Sequence, residues 1–164
     1  MNASLNTPLP KLKNVSSGFT LIELIVTIAV LAIIVSIAAP NISTQLANQR
    51  VKLTASVIET ALKEAKAESI IRRQNVTVAY NNTANTITLQ ASGANISSYD
   101  ISASSTVSIT PTTVTAVIFQ PNKLIAGDDD ISYSICDSGS SNETLGQVRV
   151  NKIANIDTTN TGSC

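Results

Sequence analysis

Glu23 is the one charged residue in an otherwise apolar run, Phe19–Ala39. A carboxylate inside a membrane-length apolar helix costs at least about 2.5 kcal/mol unless it has a partner, and such a residue is a functional candidate by default. The chemistry that Glu23 offers is therefore the binding of a cationic group.

Catalytic groups are otherwise scarce in the sequence. The chain has no His and no Trp, so the commonest general base and the commonest neutral metal ligand are missing. Its many Ser and Thr residues occur in neither a Gly-x-Ser-x-Gly elbow nor a phosphate-binding loop. We expect no catalytic residue, no enzymatic activity, no cofactor and no small-molecule substrate.

The two cysteines, Cys136 and Cys164, stand late in the chain. In an exported protein they would form one disulfide that closes the C-terminal segment. Such a bridge would contribute roughly 3–4 kcal/mol in the loop-entropy model. In a cytoplasmic protein they would instead be two free thiols.

Three consecutive carboxylates occur at Asp128–Asp130. Calcium needs several oxygen ligands, and calcium loops space their acidic residues with other residues between them. The triplet lacks that spacing, so we expect a solvated turn and no metal site.

The N-terminal segment changes character at one residue. Residues 1–18 are polar, include two Lys and end in Ser-Ser-Gly, and the apolar run begins at Phe19. As a helix the run covers roughly 30 Å, about one hydrocarbon core. It is too long for an ordinary secretory signal, and a plain anchor would explain its length and basic flank but not Glu23.

We expect Pro40 to kink the helix near the outer edge of the membrane.

Beyond Pro40 the pattern predicts more helix and then strands. Apolar residues recur at three-to-four-residue spacing and predict a stripe packed on a sheet: Leu46, Leu53, Val57, Ala61, Ala65 and Ile70. From Val76 the composition turns to Thr, Ser, Asn, Val and Ile, which favours short strands. We predict strands at Val76–Tyr80, Thr86–Gln90, Tyr99–Ser102, Thr106–Thr110, Val114–Phe119, Ile131–Cys136 and Gly146–Asn151. The predicted fold class is α+β, with a long N-terminal helix packed on an antiparallel β-sheet head.

The residues Gly18-Phe19-Thr20-Leu21-Ile22-Glu23 resemble the prepilin peptidase site of type IV pilins and type II secretion pseudopilins. The resemblance implies cleavage after Gly18 by prepilin peptidase and methylation of the new N-terminal residue, Phe19. It also implies that Glu23 pairs with the free amine of a neighbouring subunit's Phe19 during assembly. A pilin-like chain would comprise a leader (1–18), a transmembrane and assembly helix (19–47) and a periplasmic head (48–164).

The head resembles the GspH/FimT group of pilin-like proteins. The residues that carry this resemblance are Glu64–Ser69 with Arg72-Arg73, Val76-Thr77-Val78, Val117–Asn122 and Gly146–Val150 before Cys164. The resemblance implies a minor type IV pilin near the pilus tip that supports pilus biogenesis, with a GspH-like type II secretion pseudopilin as the alternative. The implied partners are other pilins or pseudopilins, and the implied location is the inner membrane, crossed once, with the head in the periplasm until assembly into a filament.

A third function, DNA reception for natural transformation, is implied less strongly. Some members of the group contact DNA through a Gly-Arg-x-Arg motif near the C-terminus, whereas this chain has Gly146-Gln147-Val148-Arg149. Arg149 and Lys152 are the candidate DNA contacts. From Val76 onward the net charge is near −4, and phosphate binding requires accumulated positive charge. We therefore favour assembly over DNA binding.

Overall fold

The computed structural model describes residues 18–164, without the side chains of residues 38–41. The predicted leader lies outside the described residues except for Gly18, and the side chain of Pro40 lies outside them as well. One helix, α1 (Leu21–Arg72), precedes eight strands. These are β1 (Val76–Asn81), β2 (Thr86–Ala91), β3 (Ala94–Asp100), β4 (Ser105–Thr110), β5 (Ala116–Phe119), β6 (Ile131–Asp137), β7 (Thr144–Val150) and β8 (Ile156–Ser163). The predicted α+β class is confirmed.

The chain divides into a first unit that ends at Ala38 and a second unit, Ala39–Cys164. The second unit contains the later part of α1 and two four-stranded antiparallel sheets, ordered β3-β2-β1-β5 and β4-β6-β7-β8. Strands β1, β2, β6 and β7 alternate buried and less buried residues. That alternation is typical of sheets with one face on a core.

The core of the second unit joins α1 to both sheets, but it uses a different helix face from the one predicted. The buried helix residues are Ala47, Val51, Thr54, Ala55, Ile58, Ala61, Leu62, Ala65 and Ser69. Only Ala61 and Ala65 of the predicted stripe are among them; Leu53 is 67% exposed, and Leu46 and Ile70 are exposed too. The prediction was wrong because this helix has two apolar faces, and the sheets pack on the one with smaller side chains.

A close approach at Gly146 explains that choice of face. Gly146 lies in β7, and a Cβ atom there would stand 2.6 Å from Cγ1 of Val51. Real side-chain atoms do not approach so closely, so α1 rests at this point directly on the backbone of β7. A helix face of Ala and Val permits that contact, whereas Leu46 or Leu53 would hold the helix away.

Two strands differ from the prediction by more than two residues at an end. Strand β3 begins earlier than predicted because Ser92 and Gly93, both with positive φ, form a two-residue turn that pairs Ala91 with Ala94. Strand β8 was not predicted. Its residues are mostly exposed and polar, so it has no alternating pattern, and it forms by backbone pairing with β7.

Candidate assembly site

The first unit has an apolar surface with little cover of its own. Its large apolar side chains from Phe19 to Ile37 are each between 48% and 81% exposed. Two polar side chains in the same stretch are satisfied locally, because the hydroxyls of Thr27 and Ser36 donate to the carbonyls of Leu24 and Ile33. This surface suits a lipid or protein environment rather than water.

Among the described residues, no single helix is both long and apolar enough to cross a membrane. The bent pair Leu21–Ile37 and Ile42–Arg72 together meets these requirements of length and composition.

Glu23 lies in the first turn of α1, three residues after Thr20, the residue that caps the helix. Thr20 Oγ1 accepts a hydrogen bond from the Glu23 backbone N–H at 3.2 Å, as a helix N-cap does. The Glu23 side chain is exposed and makes no hydrogen bond or ion pair with the described residues. The helix N-terminus favours a carboxylate at this position, but none of the described residues places a cationic group beside the Glu23 carboxylate. Phe19 is 81% exposed four residues earlier.

The second unit presents an exposed apolar face along α1. Leu46 and Leu53 are exposed and Val57 is half-buried. Leu53 and Val57 line a groove of about 290 Å³ together with Ile101, which follows β3. This face is the part of the predicted stripe that the sheets leave uncovered.

The helix and the second sheet are joined by one ion pair with a buried acid. Arg50 Nε and Nη2 donate to the two carboxylate oxygens of Asp137 at 2.6 and 3.1 Å, and Gly139 N–H donates to Oδ1 at 3.0 Å. The Asp137 side chain is fully buried. Its pKa is lowered chiefly by the Arg50 hydrogen bonds, against the effect of burial. Two residues earlier in α1, the Asn48 side-chain oxygen accepts a hydrogen bond from the Thr144 N–H at 2.7 Å.

The disulfide lies beside this junction. Cys136 and Cys164 are bonded, with their Cα atoms 5.8 Å apart, so the disulfide is present as predicted. Glu143 is 1% exposed. Its Oε1 accepts the Asp137 N–H at 2.9 Å, whereas no described residue donates to its buried Oε2. Burial alone would raise the pKa of Glu143, but backbone N–H donors hold it below the usual value.

The two candidate DNA contacts are both engaged by acids from the Asp128–Asp130 turn. Arg149 Nη2 lies 2.7 Å from an Asp130 carboxylate oxygen, and Lys152 pairs with Asp128. Arg149 and Asp130 also line a polar cleft of about 300 Å³ that contains the second acid Asp157. Their role as DNA contacts stays a prediction, and each cation would have to leave its carboxylate to meet a phosphate.

Sequence reasoning did not find the Arg50–Asp137 junction or the buried Glu143. The partners are 87 residues apart in the chain, and Glu143 lies in a run of Ser and Asn that suggests an exposed turn. No local pattern marks these residues, because their burial depends on how α1 and the second sheet meet.

A family model described as the prokaryotic N-terminal methylation motif matches residues 13–39. This range contains Gly18, Phe19 and Glu23, the three residues of the predicted processing and assembly site. No protein of curated function matches the chain in sequence.

Solved structures resemble the chain at low sequence identity. The type IV minor pilin FimU of Pseudomonas aeruginosa (strain PAO1) is 15% identical, with a TM-score of 0.61 over 71% of this chain and 93% of FimU. The minor pseudopilin EpsH from the type II secretion system of Vibrio cholerae is 10% identical, with a TM-score of 0.57 over 71% of this chain and 98% of EpsH. The chain thus combines the N-terminal methylation motif with a fold similar to that of a minor pilin and a minor pseudopilin.

Proposed function

We propose that the chain is a minor type IV pilin, made as a precursor and assembled through α1 near the tip of a pilus. Prepilin peptidase removes residues 1–18, and Phe19 becomes the methylated N-terminus. Before assembly, α1 crosses the inner membrane once and the head lies in the periplasm. The work of the protein is the initiation or support of pilus assembly.

The observation that carries this proposal is the unpartnered Glu23 on a bare apolar helix, inside the matched methylation motif. A carboxylate and an ammonium brought together in an apolar environment relieve each other's desolvation, whereas either alone is costly. The free amine of a neighbouring subunit's Phe19 supplies such an ammonium. The exposed Leu46 and Leu53 give the second unit an apolar surface of its own for contact with other subunits.

A second candidate function is that of a pseudopilin in a type II secretion system. It is favoured by the likeness to EpsH, whose TM-score of 0.57 is close to the 0.61 of FimU. The two functions share processing and assembly and differ in the machine that recruits the subunit. A deletion strain separates them, because loss of surface pili and twitching supports the pilus and retention of secreted proteins supports the secretion system.

DNA reception, with Arg149 and Lys152 as contacts, is a third candidate and is not favoured. Both side chains already form ion pairs, Arg149 with Asp130 and Lys152 with Asp128.

Glu23→Leu tests the assembly mechanism. We expect the variant protein to insert in the membrane and to be processed, but to be lost from sheared filaments on immunoblots, because its helix no longer offers a carboxylate to the neighbouring amine. Thr27→Val is the matched control, since the Thr27 hydroxyl only bonds its own helix, and it should assemble normally. Normal filament incorporation of Glu23→Leu would show that α1 is only an anchor.

A further inference from the structure

A cluster of three residues at the end of the second sheet is not used by the proposed assembly mechanism. One carboxylate oxygen of Glu143 and the Sγ atoms of Cys136 and Cys164 all lie within 4.8 Å of one another. Two sulfur ligands and one carboxylate at this spacing resemble the ligand set of a zinc site. In the oxidised protein the disulfide occupies both sulfurs.

Backbone hydrogen bonds hold the three residues in place. Glu143 Oε1 accepts the N–H of Asp137, the residue that follows Cys136. The Glu143 carbonyl accepts the Cys164 N–H at 3.3 Å. The Glu143 side chain is therefore fixed between both cysteines, and its other oxygen, Oε2, is buried without a partner among the described residues.

The local charge favours an added cation. Asp137 and Glu143 are both buried acids, and the Asp137 backbone N–H donates to the Glu143 carboxylate, whereas one guanidinium, from Arg50, is bound there. Arg50 donates to Asp137 and leaves Glu143 without a cationic partner. A buried charge of this kind is stabilised by a metal ion or a second ion pair.

We propose that the reduced protein binds one zinc ion through Cys136, Cys164 and Glu143, with water as a fourth ligand. Reduction by an external dithiol transfers two electrons and two protons to the disulfide and leaves the dithiol oxidised. Zinc then displaces the two thiol protons. Tetrahedral zinc requires the sulfurs to move to about 3.8 Å apart, and the exposed Cys164 can provide that movement. The site would hold the end of β8 against Glu143 before the disulfide forms.

Cobalt(II) is a suitable probe, because its thiolate complexes absorb strongly in the near ultraviolet. The full chain, extracted in detergent and reduced with a phosphine, should bind one Co²⁺ with a sulfur-to-cobalt charge-transfer band and release about two protons per metal. Zn²⁺ should displace the cobalt. The oxidised protein should show no such band.

The role of Glu143 is tested by substitution. Glu143→Gln should weaken Co²⁺ binding at least about ten-fold, whereas Asp100→Asn, at an exposed acid outside the cluster, should not change it. Circular dichroism of the oxidised Glu143→Gln protein checks its fold. If that variant does not fold, Cys164→Ser is the second test. A weaker sulfur-to-cobalt charge-transfer band and weaker Co²⁺ binding by this variant would support the site. Absence of the band from the reduced native protein, or unchanged affinity in the folded Glu143→Gln or in Cys164→Ser, would overturn the proposal.

Discussion

Five ion pairs join charged side chains in the described part of the chain, and Glu23 belongs to none of them. Four of these pairs are largely open to water, where an ion pair contributes about 0–1 kcal/mol. The Arg50–Asp137 pair differs because its carboxylate is fully buried and accepts three hydrogen bonds. At the residue scale, therefore, Asp137 stabilises the head, whereas Glu23 is the acid that the proposed assembly would pair with an amine.

Asp137→Asn should destabilise the protein at pH 7 by about 2 kcal/mol, since it removes hydrogen bonds to a charged group; the partial exposure of Arg50 keeps the effect from being larger. The pKa of Asp137 in the folded protein is lowered from its ordinary value. Its contribution is thus present above the unfolded pKa of about 3.9 and is lost as pH falls through the folded value. Urea unfolding at several pH values measures the difference.

The difference in the free energy of unfolding between Asp137→Asn and the native protein should become smaller below about pH 4. Some acid sensitivity remains in the variant because the pKa of Glu143 is lowered as well. Asp129→Asn, at an exposed acid, is the control and should leave stability unchanged at every pH. A difference in stability that stays constant down to pH 2 would contradict the conclusion that the ionised Asp137 carboxylate stabilises the head.

Processing depends on the residues around Gly18. Intact-mass measurement of the membrane-extracted protein should show loss of residues 1–18 and a methyl group on Phe19. Gly18→Ala should accumulate as the precursor, because the resemblance implies cleavage directly after this glycine, whereas the nearby Ser16→Ala should mature normally. A different mature N-terminus, or normal maturation of Gly18→Ala, would refute the predicted site.

At the scale of elements, α1 uses its two apolar faces differently. Mostly small and β-branched side chains face the sheets, with Leu62 as the exception, whereas Leu46 and Leu53 remain exposed. The sheet-facing side fits because β7 has a glycine where the helix crosses it. The other face is available to other subunits.

Gly146→Ala tests that close contact. A Cβ atom 2.6 Å from Val51 Cγ1 forces the helix or the strand to shift, and overpacking of this kind typically costs about 1–3 kcal/mol. Combining it with Val51→Ala, which removes the opposing methyl groups, should give a loss smaller than the sum of the two single losses. Thermal unfolding of the four proteins measures the coupling. Additive losses would show that the two residues do not compete for space.

The sequence was sufficient for those elements whose patterns are local. Strands β1 and β2 follow from alternating residues on either side of a polar turn; both were predicted, and they pair with each other antiparallel. The buried helix face was not predictable by periodicity, because two apolar stripes have the same spacing and only the contact with Gly146 selects between them. Strand β8 has almost no apolar residues, so its existence depends on the free edge of β7.

The candidate sites show the same division. Glu23 stands out because a charge interrupts a long apolar run, which is visible in one segment of sequence. The burial of Asp137 and Glu143 depends on Arg50 and on strands far away in the chain. The sequence around them is rich in Ser, Asn and Asp, which indicates an exposed segment, so their burial could not be predicted. The disulfide could be predicted because the chain has only two cysteines.

At the scale of the whole molecule, the balance of basic and acidic residues distinguishes the two candidate functions, assembly and DNA reception. From Val76 onward the head has three basic and seven acidic residues, and the structure pairs two of those three cations with carboxylates. Counterion release, the main source of DNA affinity, requires many cations free to meet phosphates. The part of the head that follows Val76 therefore has few contacts to offer.

The full chain in detergent should bind duplex DNA only weakly at physiological salt. Arg149 and Lys152 can neutralise at most about two phosphates, so log K should fall with log salt at a slope near −2. Arg149→Gln should reduce that slope by about 1 without changing filament formation, whereas Lys123→Gln, an exposed cation outside the cleft lining, is the control. Fluorescence anisotropy across a salt series measures both quantities. Submicromolar binding with a steep slope that Arg149→Gln abolishes would make DNA capture the leading function, because so much affinity could not come from two cations already bound to carboxylates unless the head rearranged to release them.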